Sequence, residues 1–118
     1  MPSIKLKVYP YMTSGGDPVE VEAPCRIVGD LAVHRPYSAW KGEASPMSGW
    51  TVTHVGTGLS AGKALHNLTS RGAGQREHVK WARDWQEACP AFFKAWREGD
   101  NEKAQGLAQD AFEKAIAL

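Results

Sequence analysis

Cysteine is scarce in this chain. Cys25 and Cys89 stand alone among 118 residues, share no C-x-x-C spacing and make no disulfide framework. They read as free, part-buried thiols in a reducing cytosol, with a single Cys25–Cys89 bridge as the alternative. No apolar run approaches the ~20 residues that cross a bilayer. The N-terminus, M-P-S-I-K-L-K-V-Y-P, lacks the continuous apolar segment of a signal peptide. These absences predict a cytoplasmic protein with no membrane partner, in which the sequon Asn67-Leu68-Thr69 has no role. Excess charge is also missing. The formal net charge is +1, so bulk electrostatics name no partner. No G-x-S-x-G nucleophile motif occurs, no histidine pair has H-x-x-x-H spacing, and neither cysteine sits at ligand spacing from a histidine. No metal and no cofactor is expected.

What the chain does have is the composition of a folded domain. Apolar residues make up 42% and charged residues 23%, which excludes a disordered chain. A chain of this length predicts one domain able to bury a core without staples. Five tryptophans outnumber the phenylalanines and the tyrosines; tryptophan serves both as core filler and as an interface anchor.

The chain is organised around Gly49–Gly62, G-W-T-V-T-H-V-G-T-G-L-S-A-G. Its alternation places Trp50, Val52 and His54 on one side of a strand and Thr51, Thr53 and Val55 on the other. Before it, the sequence reads as strand and turn. Ile4, Leu6 and Val8 alternate with Lys5, Lys7 and Tyr9, and the run stops at Pro10. Val19–Ala23 alternates again and stops at Pro24, so a hairpin across Gly15-Gly16 follows. Cys25–Arg35 is the next extended run, with Gly29-Asp30 as a bulge or tight turn inside it. Tyr37–Ser48, centred on Trp40, reads as a long loop of the functional or mobile kind. Gly49–Val55 pairs with Leu31–Arg35.

After this stretch the sequence reads as helix. A short one opens at Thr57–Ser60 with Ala61, Leu65 and Leu68 on one face, and Ser70–Gly74 breaks the chain. Gln75–Cys89 is the clearest helix: His78, Trp81, Ala82, Trp85, Ala88 and Cys89 share one side, and Arg76, Lys80, Arg83 and Glu87 the other. Pro90 suits the first position of a new helix carrying Phe92, Phe93 and Trp96. Gly99 suits C′, and Asp100 or Asn101 an N-cap. The last helix, from Glu102, buries an alanine-rich face. The fold class is therefore α+β: an antiparallel sheet of three or four strands over residues 1–56, packed with three or four helices over residues 57–118.

Three constellations bear on function. The stretch G-T-G-L-S-A-G-K, Gly56–Lys63, follows a strand and enters a helix, the context of an anion at a helix N-terminus. Its spacing is not that of a phosphate loop, because Gly56 leaves five residues before Gly62-Lys63, Gly58 leaves three, and Ala64 stands where Ser or Thr would hold magnesium. It reads as a glycine-rich turn capped by Thr57 or Ser60, with a looser anion site at Thr57, Gly58, Ser60 and Lys63 as the alternative. His34 and His54 fall on neighbouring strands, where either could act as a general base, while His78 lies on an apolar helix side. The basic window is the third: Arg76, Lys80 and Arg83 form one helical stripe, with Arg71 on the loop before it. The chain beyond is acidic, and such bipolarity suits protein docking as well as nucleic acid.

Asp30–Arg35 and Gly49–Gly62, the D-L-A-V-H-R … G-W-T-V-T-H-V-G-T-G-L pattern, resemble small phage- and prophage-encoded accessory proteins of uncharacterised function. The resemblance implies a protein that binds and blocks a host machine, such as a restriction or CRISPR complex. It assigns no catalytic residue. The sequence thus carries three functional expectations. The first is a non-enzymatic inhibitor docking on a host protein complex through Trp40, the stripe of Arg71, Arg76, Lys80 and Arg83, or the acidic C-terminal helices. The second is a nucleic-acid-binding regulator using that stripe. The third is a small enzyme or ligand-binding protein at the Gly56–Gly62 turn, with His54.

Overall fold

The computed structural model describes residues 3–9, 18–40 and 43–118. Four antiparallel strands form the main sheet: β1 (Ser3–Val8), β2 (Val19–Val28), β3 (Leu31–His34) and β6 (Thr51–His54), in the order β1-β2-β3-β6. A two-stranded hairpin, β4 (Tyr37–Trp40) with β5 (Glu43–Pro46), lies between β3 and β6 in the chain. A 3-10 turn (Gly62–Leu65) then leads into four helices: α1 (His66–Ser70), α2 (Gln75–Ala88), α3 (Pro90–Arg97) and α4 (Asn101–Ala117). The fold is α+β, with the sheet in the N-terminal half and the helices in the C-terminal half. No helix among the described residues is long and apolar enough to cross a membrane.

Strand β2 runs straight through Pro24, where the sequence pattern predicts an end. The register supplies the reason. β1 pairs with β2 only as far as Ser3↔Pro24, and β3 takes over from Cys25↔His34. Pro24 sits where one partner gives way to the next, so its missing N–H costs the ladder little. The break falls instead at Gly29-Asp30, a two-residue turn between β2 and β3 with Gly29 at φ +59°. Gly15-Gly16 lies outside the described residues. Tyr37–Ser48, read as a loop, holds the β4–β5 hairpin; its Ser, Ala, Glu and Pro residues give a weak strand signal, and pairing rather than propensity shapes it.

The sheet is covered on both faces, the second of them polar over β3 and β6, where His34 and Thr53 are buried. Leu31, Val33 and Val52 face the helices and join Trp81, Trp85, Phe92 and Phe93 in the larger core. Leu6, Val8, Ala23, Cys25, Ala32 and Tyr37 form a second cluster on the opposite face. Cys25 and Cys89 are both free thiols, and they are buried in these separate clusters rather than bridged.

From Gln75 onward the helices follow their sequence signals closely, whereas the short helix expected to open at Thr57–Ser60 begins only at Gly62, because Gly58 N–H bonds back to His54 O and Ser60 bridges to Thr53. α2 buries His78, Trp81, Ala82 and Trp85 and wets Arg76, Lys80 and Arg83. Pro90 stands at the first position of α3. Gly99, at φ +74°, follows that helix, and Asp100 caps the next by accepting from Lys103 N–H. The buried face of α4 is Ala104, Ala111 and Ala115. Those short side chains let α2 approach until its indoles reach the α4 backbone: Trp85 Nε1 donates to Ala111 O and Trp81 Nε1 to Ala115 O, each at 2.9 Å.

Candidate functional site

Strand β6 ends in two clefts. At its C-terminal end lies one of about 410 Å³, walled by the β2–β3 turn, the Gly56–Thr57 turn and the end of α3. His54 is its centre. The residue is 3% exposed, and its ring lies flat on the indole of Trp96, centroids 3.9 Å apart and planes 7° from parallel. Nδ1 meets Thr57 Oγ1 at 3.0 Å, and that same oxygen accepts Leu59 N–H at 3.3 Å. A hydroxyl that accepts one N–H can also donate, and where the Thr57 hydroxyl donates to Nδ1 the imidazole proton sits on Nε2. Nε2 has no hydrogen-bond partner among the described residues.

The rim carries an ion pair. Arg97 Nε and Nη2 both donate to the Asp30 carboxylate, at 2.8–3.0 Å. Asp30 is itself held by the fold: its N–H donates to Gln86 Oε1 at 2.9 Å, and Gln86 Nε2 donates to Val28 O at 2.6 Å. A Cβ at Gly29 would lie 2.4 Å from that Gln86 oxygen and displace the amide that holds Asp30, and the turn's φ of +59° itself favours glycine. Arg97 Nη1 makes no hydrogen bond among the described residues, and the side chain is 61% exposed. Burial pushes the His54 imidazole below its ordinary value; the Asp30 carboxylate pulls it up and Arg97 pushes it down in smaller measure. The site therefore presents an unpartnered nitrogen of a neutral imidazole beside a free guanidinium N–H. Its apolar wall is Trp96 and the exposed Ile27.

The other sequence-named residues fall elsewhere. His34 and His54 do lie on neighbouring strands, but on opposite faces, since His54 stands opposite Leu31 and His34 opposite Thr51. His34 has both ring nitrogens engaged: Nδ1 donates to Arg35 O at 2.6 Å, and Nε2 accepts from Thr53 Oγ1 at 2.7 Å. In the Gly56–Gly62 turn, Gly58 N–H donates to His54 O and Leu59 N–H to Thr57 Oγ1, so these amides bond within the turn. Gly58 has φ +77°, and a Cβ there would lie 2.9 Å from Lys7 O; it is the point where the turn packs on β1. Ser60 is exposed and bridges to Thr53. The side chains of Lys63 and Trp40 lie outside the described ones.

The basic stripe is exposed, and three of its four cations have carboxylate partners on α2. Arg71 faces Glu77 at 3.7 Å, Lys80 bonds Asp84 at 2.6 Å, and Arg83 approaches the same carboxylate at 3.8 Å. Arg76 makes no ion pair among the described residues. Among the described residues no three His, Cys, Asp or Glu side chains converge as metal ligands do. Sequence reasoning found His54 and Thr57 but missed Asp30, Trp96 and Arg97. Asp30 and Arg97 are 67 residues apart, and only the packing of α3 beside the β2–β3 turn joins them. No family model matches this chain, and no curated protein or solved structure matches it significantly.

Proposed function

We propose that this protein binds a small amphiphilic molecule in the His54 cleft, with an oxygen-rich head group, such as a carboxylate, at His54 and Arg97. The observation that carries the proposal is the unpartnered Nε2 of a 97%-buried histidine, oriented by Thr57 and stacked on Trp96. A histidine this buried ordinarily has its polar atoms paired, as His34 does. Here one ring nitrogen borders a cleft that Arg97 also lines. With the Thr57 hydroxyl donating to Nδ1, the tautomer this reading takes, two N–H donors beside an apolar wall match a head group of oxygen acceptors on an apolar body. Because Arg97 is paired with Asp30 and the imidazole is neutral, directed hydrogen bonds rather than net charge would set the affinity. The third sequence expectation, a ligand at the Gly56–Gly62 turn, is the one this reading develops. Its donors are side chains around the turn, in place of the turn amides.

Benzoate tests it, with benzyl alcohol as the control lacking the carboxylate. Titration should shift the His54 ring and Trp96 indole resonances saturably. Arg97→Ala and His54→Gln should each weaken benzoate roughly tenfold, the loss of one directed hydrogen bond to an ionised group. Equal binding of benzyl alcohol, or an unchanged affinity in both variants, would overturn it.

A further inference from the structure

We infer that the cleft at the other end of β6 is a second binding site, for a neutral ligand of sugar size that donates a hydrogen bond to His78. That cleft has a volume of about 400 Å³. It lies between the start of β6, the 3-10 turn and α1, and the first turn of α2. His78 is 2% exposed, and its Nδ1 lies 2.8 Å from Gly74 O. A carbonyl oxygen only accepts, so Nδ1 carries the ring proton and Nε2 of the neutral ring is a lone-pair acceptor. Nε2 is buried with no partner, the sole such side-chain atom among the described residues. A buried acceptor left bare carries an uncompensated desolvation cost, which a donor reaching it relieves.

The walls describe the donor's owner. No charged side chain lines the cleft among the described residues, which disfavours an ionic ligand. Ser48 and Thr69 line it as hydroxyl residues, while Trp50 and Leu65 contribute apolar surface. Hydroxyls both donate and accept, so this lining suits a ring bearing several hydroxyl groups. Arg35 lies over Trp50, its guanidinium carbon 4.5 Å from the ring centroid, and donates to Gly49 O at 3.3 Å; it fixes that wall. The opposite wall is Gly72–Gly74, where neither glycine has an atom within 4 Å of a would-be Cβ. Backbone can therefore approach a ligand closely there. The polarity is the reverse of the His54 cleft: an acceptor awaits a donor here, and donors await an acceptor there.

The test is titration of protein carrying ¹⁵N-labelled histidine with D-glucose and N-acetyl-D-glucosamine, with 1,4-dioxane as the ring ether that cannot donate. The His78 Nε2 resonance should move saturably toward the hydrogen-bonded position with at least one sugar and stay put with dioxane. Thr69→Val should weaken that response several-fold, and Thr69 is exposed enough to be replaced without loss of fold. Arg97→Ala, in the other cleft, should leave it unchanged. The inference fails if neither sugar gives a saturable shift. It fails equally if Nε2 in the free protein already resonates as a bonded acceptor, the sign of one trapped water and nothing larger.

Discussion

The aromatic core beneath α2, α3 and α4 and the two clefts at the ends of β6 use the same kinds of residue in opposite ways. In the core, Trp81 and Trp85 are buried, and each indole N–H has found a carbonyl of α4. Trp85 also meets Phe93 edge-on at 4.8 Å and touches Trp81, Phe92 and Phe112. In the clefts, Trp50 and Trp96 are only partly buried, and each cleft holds a histidine with one bonded and one bare nitrogen. The difference lies in what faces each ring. The alanine face of α4 brings backbone acceptors within reach of the core. The glycine turns around the clefts withdraw side chains and leave polar atoms without partners. Polar atoms that stability has satisfied belong to the fold, and those left bare are the candidates for ligands.

If that division is right, the largest loss of stability comes from the core. Trp85→Ala removes a fully buried indole with its hydrogen bond and should cost about 3–5 kcal/mol. That is a large share of the 5–15 kcal/mol typical of a domain, and urea denaturation would measure it. The two strand histidines give the next contrast. His34→Ala strands the Thr53 hydroxyl and the Arg35 carbonyl and should cost about 1–3 kcal/mol. His54→Ala loses mainly the stack on Trp96, worth about 0.5–1.5 kcal/mol beyond the area it buries. A larger loss at His54 than at His34 would make His54 a core residue and dissolve the contrast.

Acid should act through both of them. Burial lowers the pKa of His34 and of His54 below 6.5 in the folded state. The unfolded chain then takes up protons first, so folding is destabilised as pH falls below about 6.5, until the lower folded values are passed. Above that range these groups contribute no pH dependence. Unfolding free energy measured from pH 8 to pH 5 should therefore be level and then decline. His34→Gln should flatten the decline in part; an unchanged slope in both His34→Gln and His54→Gln would remove these two from the account.

Much of this frame was legible in the sequence, for local reasons. The 3.6-residue period of α2 sorts Trp81 and Trp85 from Arg76 and Lys80, and Pro90, Gly99 and Asp100 mark helix ends by chemistry that needs no partner. The pairing of β3 with β6 follows from alternation. What could not be read depends on distant chain. Whether Pro24 ends a strand depends on where β1 stops, and whether Tyr37–Pro46 is loop or hairpin depends on its pairing. His54 was visible as the last residue before a glycine turn. That Trp96, of five tryptophans, would lie flat against it follows from how α3 packs on the sheet.

The smallest expected effect is on the exposed face of α2, and it decides what the basic stripe is for. Lys80 and Asp84 are an i,i+4 pair with the lysine N-terminal, the less favourable order on a helix, and the lysine side chain is 68% exposed. Lys80→Ala should therefore change stability by no more than a few tenths of a kcal/mol. Docking on phosphates would require Lys80 and Arg83 to leave Asp84, and Arg71 to leave Glu77. Each exchange replaces one ion pair by another, so the gain from binding nucleic acid is small. Affinity for a mixed-sequence duplex should be weak, nearly independent of salt, and unmoved by Lys80→Ala. A steep fall of log K with log salt, lessened by about one phosphate's share in Lys80→Ala, would show that these pairs open readily. The stripe would then join the clefts as a surface held ready for a partner, and bare polar atoms would no longer be the sole mark of such surfaces in this protein.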